Sequence, residues 1–100
     1  MIKHIVAWKL KDNAEGMAKT ENAIRIKELL ENLKNLIPQI VDIEVGINFN
    51  TSDSAYDVAL YSVFKSETDL NVYQVHPEHL KVAEFVRKVV EKRVVIDYKM

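Results

Sequence analysis

The chain has 100 residues, 48% of them hydrophobic and 29% charged, with 14 basic and 15 acidic side chains for a net charge of −1. This length predicts one domain over residues 1–100, and the balanced charge gives no long-range field to attract nucleic acid or an anionic membrane. The absence of cysteine excludes disulfides, thiolate nucleophiles and Cys-ligated metals. Because there is neither a signal-peptide pattern nor an apolar run of membrane-spanning length, we expect a soluble cytoplasmic protein that binds no nucleic acid and no membrane.

The first half of the chain predicts a strand followed by a long helix. Residues 2–10 alternate between apolar and mixed positions, and the apolar face of this strand carries His4 and Trp8. Residues 14–37 predict a helix, because apolar side chains recur there at three- and four-residue steps. Pro38 ends this helix, since the residue before a proline avoids helical backbone.

The second half predicts two more strands, a helix in two parts and a last strand. Residues 40–49 alternate cleanly, which indicates a strand with one polar face, and residues 56–65 are apolar on both faces, as in a central strand. A short helix begins after Ser66, whose side chain can cap the free amides. A second helix covers residues 77–91, and residues 93–98 predict the final strand.

The order β-α-β-β-α-β, with the second helix broken in two, predicts an α+β, ferredoxin-like fold. In this fold the helices pack on one face of a four-stranded antiparallel sheet. Ile5 and Ala7 give the first strand a second apolar side, in addition to the two-faced third strand. Because one layer of helices covers only one face, we expect a homodimer that buries the other face sheet to sheet.

One segment, Tyr73-Gln74-Val75-His76-Pro77-Glu78-His79, groups the side chains able to move a proton near neutral pH. His79 falls in the apolar stripe of the helix that begins at Pro77. Desolvation and the helix N-terminus both disfavour the imidazolium, so we predict a neutral ring, as a general base requires. His4 and Tyr73 are expected to line the same cavity between the helices and the sheet.

Other interpretations of these histidines stay open. A histidine in an apolar stripe is more often a hydrogen-bonded core residue than a catalyst, and His76 can be only a helix cap. His76 and His79 could chelate a metal with His4 or Glu78, but spacing defines no third ligand, so we predict no metal site and no cofactor.

Five segments, in order along the whole chain, form a specific combination. They are Lys3-His4-Ile5-Val6-Ala7-Trp8-Lys9-Leu10-Lys11-Asp12, Leu36-Ile37-Pro38, Glu44-Val45-Gly46, the Tyr73-to-His79 segment and Ile96-Asp97-Tyr98. In these segments the chain resembles the stress-responsive dimeric α/β-barrel (Dabb) family. The resemblance implies a ferredoxin-like fold and a homodimer whose two sheets form a barrel.

The family includes a plant polyketide cyclase that acts by aldol condensation, with a histidine general base assisted by a tyrosine. By resemblance, His79 and Tyr73 match these catalytic positions, and His4 matches a pocket histidine. Two other pocket side chains of the cyclase, a sheet histidine and a helix tyrosine, fall at Val58 and Leu30 here. The side chains that we expect in the ligand pocket are His4, Trp8, Leu30, Val58 and His76. Plant relatives can also hold magnesium through backbone oxygens, here around Leu33–Pro38.

The sequence leaves three functions open. The first is His-based acid/base chemistry on a small carbonyl-containing or polyketide-like molecule in an apolar pocket. The second is a non-enzymatic stress-responsive or ligand-binding module, which predicts a filled cavity and a bond from His79 to a backbone carbonyl. The third and weaker alternative is a dimeric α/β-barrel oxygenase, which would need an oxidisable substrate or haem.

Overall fold

A four-stranded antiparallel sheet with helices packed on one face forms the frame of the computed structural model, which describes residues 1–100. In chain order the elements are β1 (Ile2–Leu10), β2 (Asn13–Ala14), β3 (Met17–Ala18), α1 (Lys19–Asn32), a 3₁₀ turn (Leu33–Asn35), β4 (Asp42–Ile47), β5 (Val58–Phe64), α2 (Glu67–Val75), α3 (Pro77–Val89) and β6 (Val90–Lys99). The main sheet has the order β4-β5-β1-β6. The predicted ferredoxin-like fold is confirmed.

The alternation of β1 decides which side chains enter the core. Every second residue from Ile2 to Leu10 is buried beneath the helices, and the residues between them are half-buried on the other face. His4 is therefore inside, between Ile2 and Val6, as the alternation predicts. Opposite it on β5 lies the buried Ser62, whose hydroxyl donates to the His4 carbonyl oxygen at 3.0 Å.

The prediction of a single helix over residues 14–37 is wrong at both ends. The segment begins with the β2–β3 hairpin, whose two turn residues, Glu15 and Gly16, have φ of 51° and 76°. Positive φ at both positions is what a type I′ turn requires, and it cannot continue into a helix. The Asn22 amide fastens the hairpin to α1 by donating to the Ala14 carbonyl at 3.1 Å. At the other end, the helix tightens into the 3₁₀ turn before Pro38.

The remaining predicted elements exist, with shifted ends. The strand predicted over 40–49 is shorter, and Phe49, predicted on its apolar face, is 97% exposed beyond the end of β4. The last helix ends at Val89 instead of residue 91, and β6 follows at once, so this strand is longer than predicted. The predicted Ser66 cap is confirmed, because its side chain accepts a hydrogen bond from the Asp69 amide at 3.1 Å.

One face of the sheet is left without helices. Ile96 of β6 pairs with Ile5 of β1 on this face and is 58% exposed. Val94 and Tyr98, two residues to either side of Ile96, lie on the same face and are also exposed. They pair with Ala7 and Lys3 of β1. An apolar band therefore crosses the open face. Among the helices, none is long and apolar enough to span a membrane.

Candidate functional site

The histidine segment lies at the break between α2 and α3, and the break decides its hydrogen bonds. α2 ends at Val75, and Pro77 lacks the amide hydrogen that a continuous helix would use. The Nδ1 atom of His76 accepts a hydrogen bond from the Glu78 amide at 3.1 Å, which makes His76 the cap of α3. Because the Glu78 amide bonds to this side chain, it does not bond to the carbonyl oxygen of Gln74 as it would in a continuous helix.

His79 uses the carbonyl group that the break leaves free. Its Nδ1 lies 3.1 Å from the carbonyl oxygen of Gln74. Because a carbonyl oxygen only accepts hydrogen bonds, Nδ1 must carry the proton. In the neutral ring the other nitrogen, Nε2, then holds the free lone pair. The helix break thus selects the tautomer in which Nε2 can accept a proton.

Burial adjusts the pKa values of His79 and Tyr73 in opposite directions. Desolvation lowers the pKa of His79 below its usual 6.5, although the backbone hydrogen bond opposes this, and the neighbouring His4, Arg93 and Arg87 lower it further. Burial raises the pKa of the Tyr73 phenol well above its usual 10.0. The two ring centroids are 4.4 Å apart. At neutral pH the pair therefore presents a proton acceptor beside a hydroxyl donor.

The Tyr73 hydroxyl has no partner within the chain. The side chain is completely buried, yet its oxygen makes no hydrogen bond. Phe64 packs against the ring with a centroid distance of 5.0 Å and offers no polar atom. A buried hydroxyl without a partner is costly, which makes this atom a candidate for contact with a ligand.

His4 enters the same site from the sheet. It is 3% exposed, and its Nδ1 lies 2.5 Å from Oδ1 of Asp97, its neighbour across the β1–β6 pair. A carboxylate accepts from the ring, so Nε2 is the nitrogen left for another partner. The ring lies edge-on to Tyr73, with centroids 6.2 Å apart. His4, Tyr73 and His79 thus form one contiguous polar cluster.

A cavity of about 290 Å³ lies beside this cluster, between the helices and the sheet. Its wall brings together five of the predicted site residues: His4, Trp8, Leu30, Tyr73 and His79. Apart from the two histidines, Arg87 and Arg93, the side chains that line it are hydrophobic. This volume is at the lower end of the range for small-molecule sites.

Two residues predicted in the pocket lie elsewhere. Val58 is buried at the start of β5, where it pairs with Trp8 on one side and Ile47 on the other. That position is four residues along the strand from Ser62, the partner of His4, so Val58 does not reach the cluster. His76 is absent from the cavity wall, because its side chain turns back to cap α3.

Three charged residues of the site were not assigned a role from the sequence. Arg87 and Arg93 belong to the cavity wall, and Asp97 holds His4. The resemblance includes Asp97 in a motif, but its contact with a residue 93 positions away is visible only in the fold. Arginine is rare in this chain, with three residues against eleven lysines, and this imbalance could have drawn attention to the two in the wall.

Magnesium binding by backbone oxygens of the segment 33–38, which the family resemblance implies, stays a prediction. The Leu33 and Ile37 carbonyl oxygens already accept backbone hydrogen bonds. The nearby Glu31 carboxylate is engaged by the Lys27 ammonium at 2.7 Å and by the Val45 amide at 3.0 Å. A magnesium ion at this turn would therefore depend on its backbone oxygens rather than on a carboxylate.

Comparison with known proteins places the chain in a family. The profile of the family described as "Stress responsive A/B Barrel Domain" (Dabb) matches residues 2–100. The chain belongs to this family. Stress-response A/B barrel domain-containing protein DABB1 of Arabidopsis thaliana is 26% identical over 98% of this Dabb chain, but the match spans only 46% of DABB1. Olivetolic acid cyclase of Cannabis sativa is 26% identical, over 97% of this chain and 94% of the cyclase.

A solved structure agrees with the Dabb fold. A protein of Bacteroides fragilis, described as dimeric, ferredoxin-like and of unknown function, is 34% identical. It superposes with a TM-score of 0.84 over 99% of this chain and 95% of its own. The family and the fold are therefore established independently, by sequence and by structure.

Proposed function

We propose that this Dabb protein binds a small, largely apolar carbonyl compound and removes a proton from the carbon next to the carbonyl group. The observation that carries this proposal is the bond from His79 Nδ1 to Gln74, which leaves the Nε2 lone pair free in a ring that lines the cavity. Desolvation keeps that ring neutral, so it is ready to act as a base at neutral pH.

The other two members of the cluster would stabilise the charge that forms on the substrate. Removing the proton moves negative charge to the carbonyl oxygen, giving an enolate. The Tyr73 hydroxyl, which has no partner of its own, would donate a hydrogen bond to this oxygen. His4, positioned by Asp97, would supply a second polar contact. The aldol-type cyclisation that the family resemblance implies begins with such a proton removal, which supports the proposal.

The test needs no knowledge of the natural substrate. Heptan-2-one in D2O exchanges its α-protons slowly, and NMR follows the loss of signal. We expect the protein to accelerate exchange and His79→Gln to reduce the catalysed rate by about 10²–10⁴-fold, as for loss of a general base. His76→Gln is the matched control, because His76 lies outside the cavity wall. An unchanged rate in His79→Gln would refute the proposed base.

The same hydrogen bond favours a second candidate function, a binding module without catalysis. In that case the bond between His79 and Gln74 only fixes the helix junction. Heptan-2-one would then bind to the protein without any His79-dependent exchange. A thermal-shift titration alongside the exchange measurement separates the two candidates.

We also propose a homodimer joined through the open face of the sheet. The support is the exposed apolar band that includes Ile5 and Ile96, which a second copy would cover. The relative from Bacteroides fragilis, described as dimeric, adds to this support.

A further inference from the structure

We infer that the ligand of this cavity is an amphipathic anion whose carboxylate or phosphate group binds Arg87 and Arg93 at the mouth, while its apolar body fills the interior. The inference rests on the proposed function, because it names the class of molecule that the same cavity takes.

The two arginines are available for a ligand. Both residues are exposed and line the cavity, and neither forms an ion pair within the chain. Some lysines, in contrast, are paired with carboxylates, such as Lys27 with Glu31 at 2.7 Å and Lys99 with Glu67 at 2.9 Å. The charge at the mouth is thus not neutralised by the protein itself.

The cavity is electrostatically one-sided. No aspartate or glutamate belongs to its wall. Arg93 opposes the rise that burial causes in the pKa of Tyr73, and both arginines lower the pKa of His79, so both positive charges act on the interior. Two arginines would attract an anion in the cavity, and no side chain of the wall would repel it.

The positions of the arginines give the cavity a charged end and an acid/base end. Arg87 follows His79 by eight residues on α3, which corresponds to about 12 Å along the helix axis. Arg93 pairs with Trp8, four residues beyond His4 on β1, or about 13 Å along the strand. Val82 and Val86 lie between the two ends on the helix side. A ligand that touches both ends therefore needs an apolar body between its anionic group and its reacting carbon.

The chemistry of the guanidinium group selects the ligand's polar end. Its planar fork of N–H donors matches the oxygens of a carboxylate or a phosphate, with two parallel hydrogen bonds. A neutral polar group would gain less from this fork. Carboxylate and phosphate share the recognition chemistry, and binding measurements can separate them.

The test compares three probes with the same eight-carbon chain: octanoate, octyl phosphate and octan-1-ol. We expect at least one anion to bind at least about tenfold more tightly than the alcohol in calorimetric titration, the advantage typical of charge-assisted hydrogen bonds. The double variant Arg87→Gln/Arg93→Gln should lose this preference. Arg25→Gln is the matched control, because Arg25, the remaining arginine, lies outside this cavity.

Each adverse result has a distinct meaning. If octan-1-ol binds as tightly as both anions, or if the double variant keeps the preference, the anionic ligand is refuted while the exchange activity of His79 stands. If none of the three probes binds, the inference is refuted together with the ligand-binding part of the proposed function. Loss of exchange in His79→Gln with unchanged octanoate binding supports both.

Discussion

At the scale of single residues, the Tyr73 hydroxyl is one of three buried side-chain polar groups that have an atom without a hydrogen-bond partner in the folded chain. It is buried and makes no hydrogen bond, whereas the Tyr61 hydroxyl on the open face accepts one from the Lys3 ammonium at 2.9 Å. An unsatisfied buried hydroxyl costs roughly 1–3 kcal/mol. The fold tolerates this cost at a position where the proposed chemistry needs a free donor.

This cost predicts a stability gain when the hydroxyl is removed. Tyr73→Phe should raise the free energy of unfolding by about 1 kcal/mol in urea titrations, while lowering the α-proton exchange rate. Tyr61→Phe is the control and should not stabilise, because its hydroxyl already has a partner. A destabilised Tyr73→Phe variant would show that the hydroxyl is bonded in solution.

The lowered pKa of His79 predicts a pH-dependent stability. In the unfolded chain this ring takes up a proton near its ordinary value of 6.5, whereas the folded ring does so only at lower pH. The unfolded state then binds more protons, so the free energy of unfolding falls as the pH drops through this window. Urea titrations between about pH 7 and pH 5 should show a shallower fall for His79→Gln than for the wild type. Identical pH profiles would contradict the burial of a neutral ring.

At the scale of elements, the junction of α2 and α3 links the sequence to the chemistry. Pro77 and the His76 cap are predictable, because both depend on neighbours within two residues. The neutral state of His79 is also predictable from its position in an apolar stripe. Its tautomer is not, since the Gln74 acceptor becomes identifiable only when the path of the chain through the break is known.

The β2–β3 hairpin shows where pattern analysis failed. Gly16 is an ordinary turn signal, but Glu15 with φ of 51° carries none, because glutamate rarely adopts left-handed backbone. The pairing of Asn13 with Ala18, together with the hydrogen bond from the Asn22 amide to the hairpin, holds Glu15 in this strained backbone conformation.

This strain predicts a stabilising substitution. Glu15→Asn should raise the free energy of unfolding by roughly 0.5–1 kcal/mol, because asparagine adopts the left-handed region more readily. Glu15→Gln removes the same charge without easing the backbone and should be close to neutral. Thermal unfolding of both variants gives the comparison, and an equal effect of the two would assign the gain to charge.

At the scale of the whole molecule, the open face of the sheet predicts the assembly state. Ile96→Lys would place two lysines near the centre of a two-fold interface, where burying unpaired charge is costly. We expect the wild type to sediment as two chains at micromolar concentration and this variant as one. Ile24→Lys is the matched control, since Ile24 is 52% exposed but lies on α1, away from the open face. A variant that remained dimeric would exclude this face as the interface.

Local periodicity and turn chemistry, read from the sequence alone, determined the order of the main elements, the inward position of His4 and the restart of the helix at Pro77. These features depend on contacts between near neighbours and on the two-residue repeat of a strand. Tertiary structure alone decided the partners of the histidines and the composition of the cavity wall. His4 and Asp97 are 93 positions apart, and Arg93 joins the same cavity wall as His79 only because β6 pairs with β1. Such contacts are determined by long-range packing, which leaves no local pattern in the sequence.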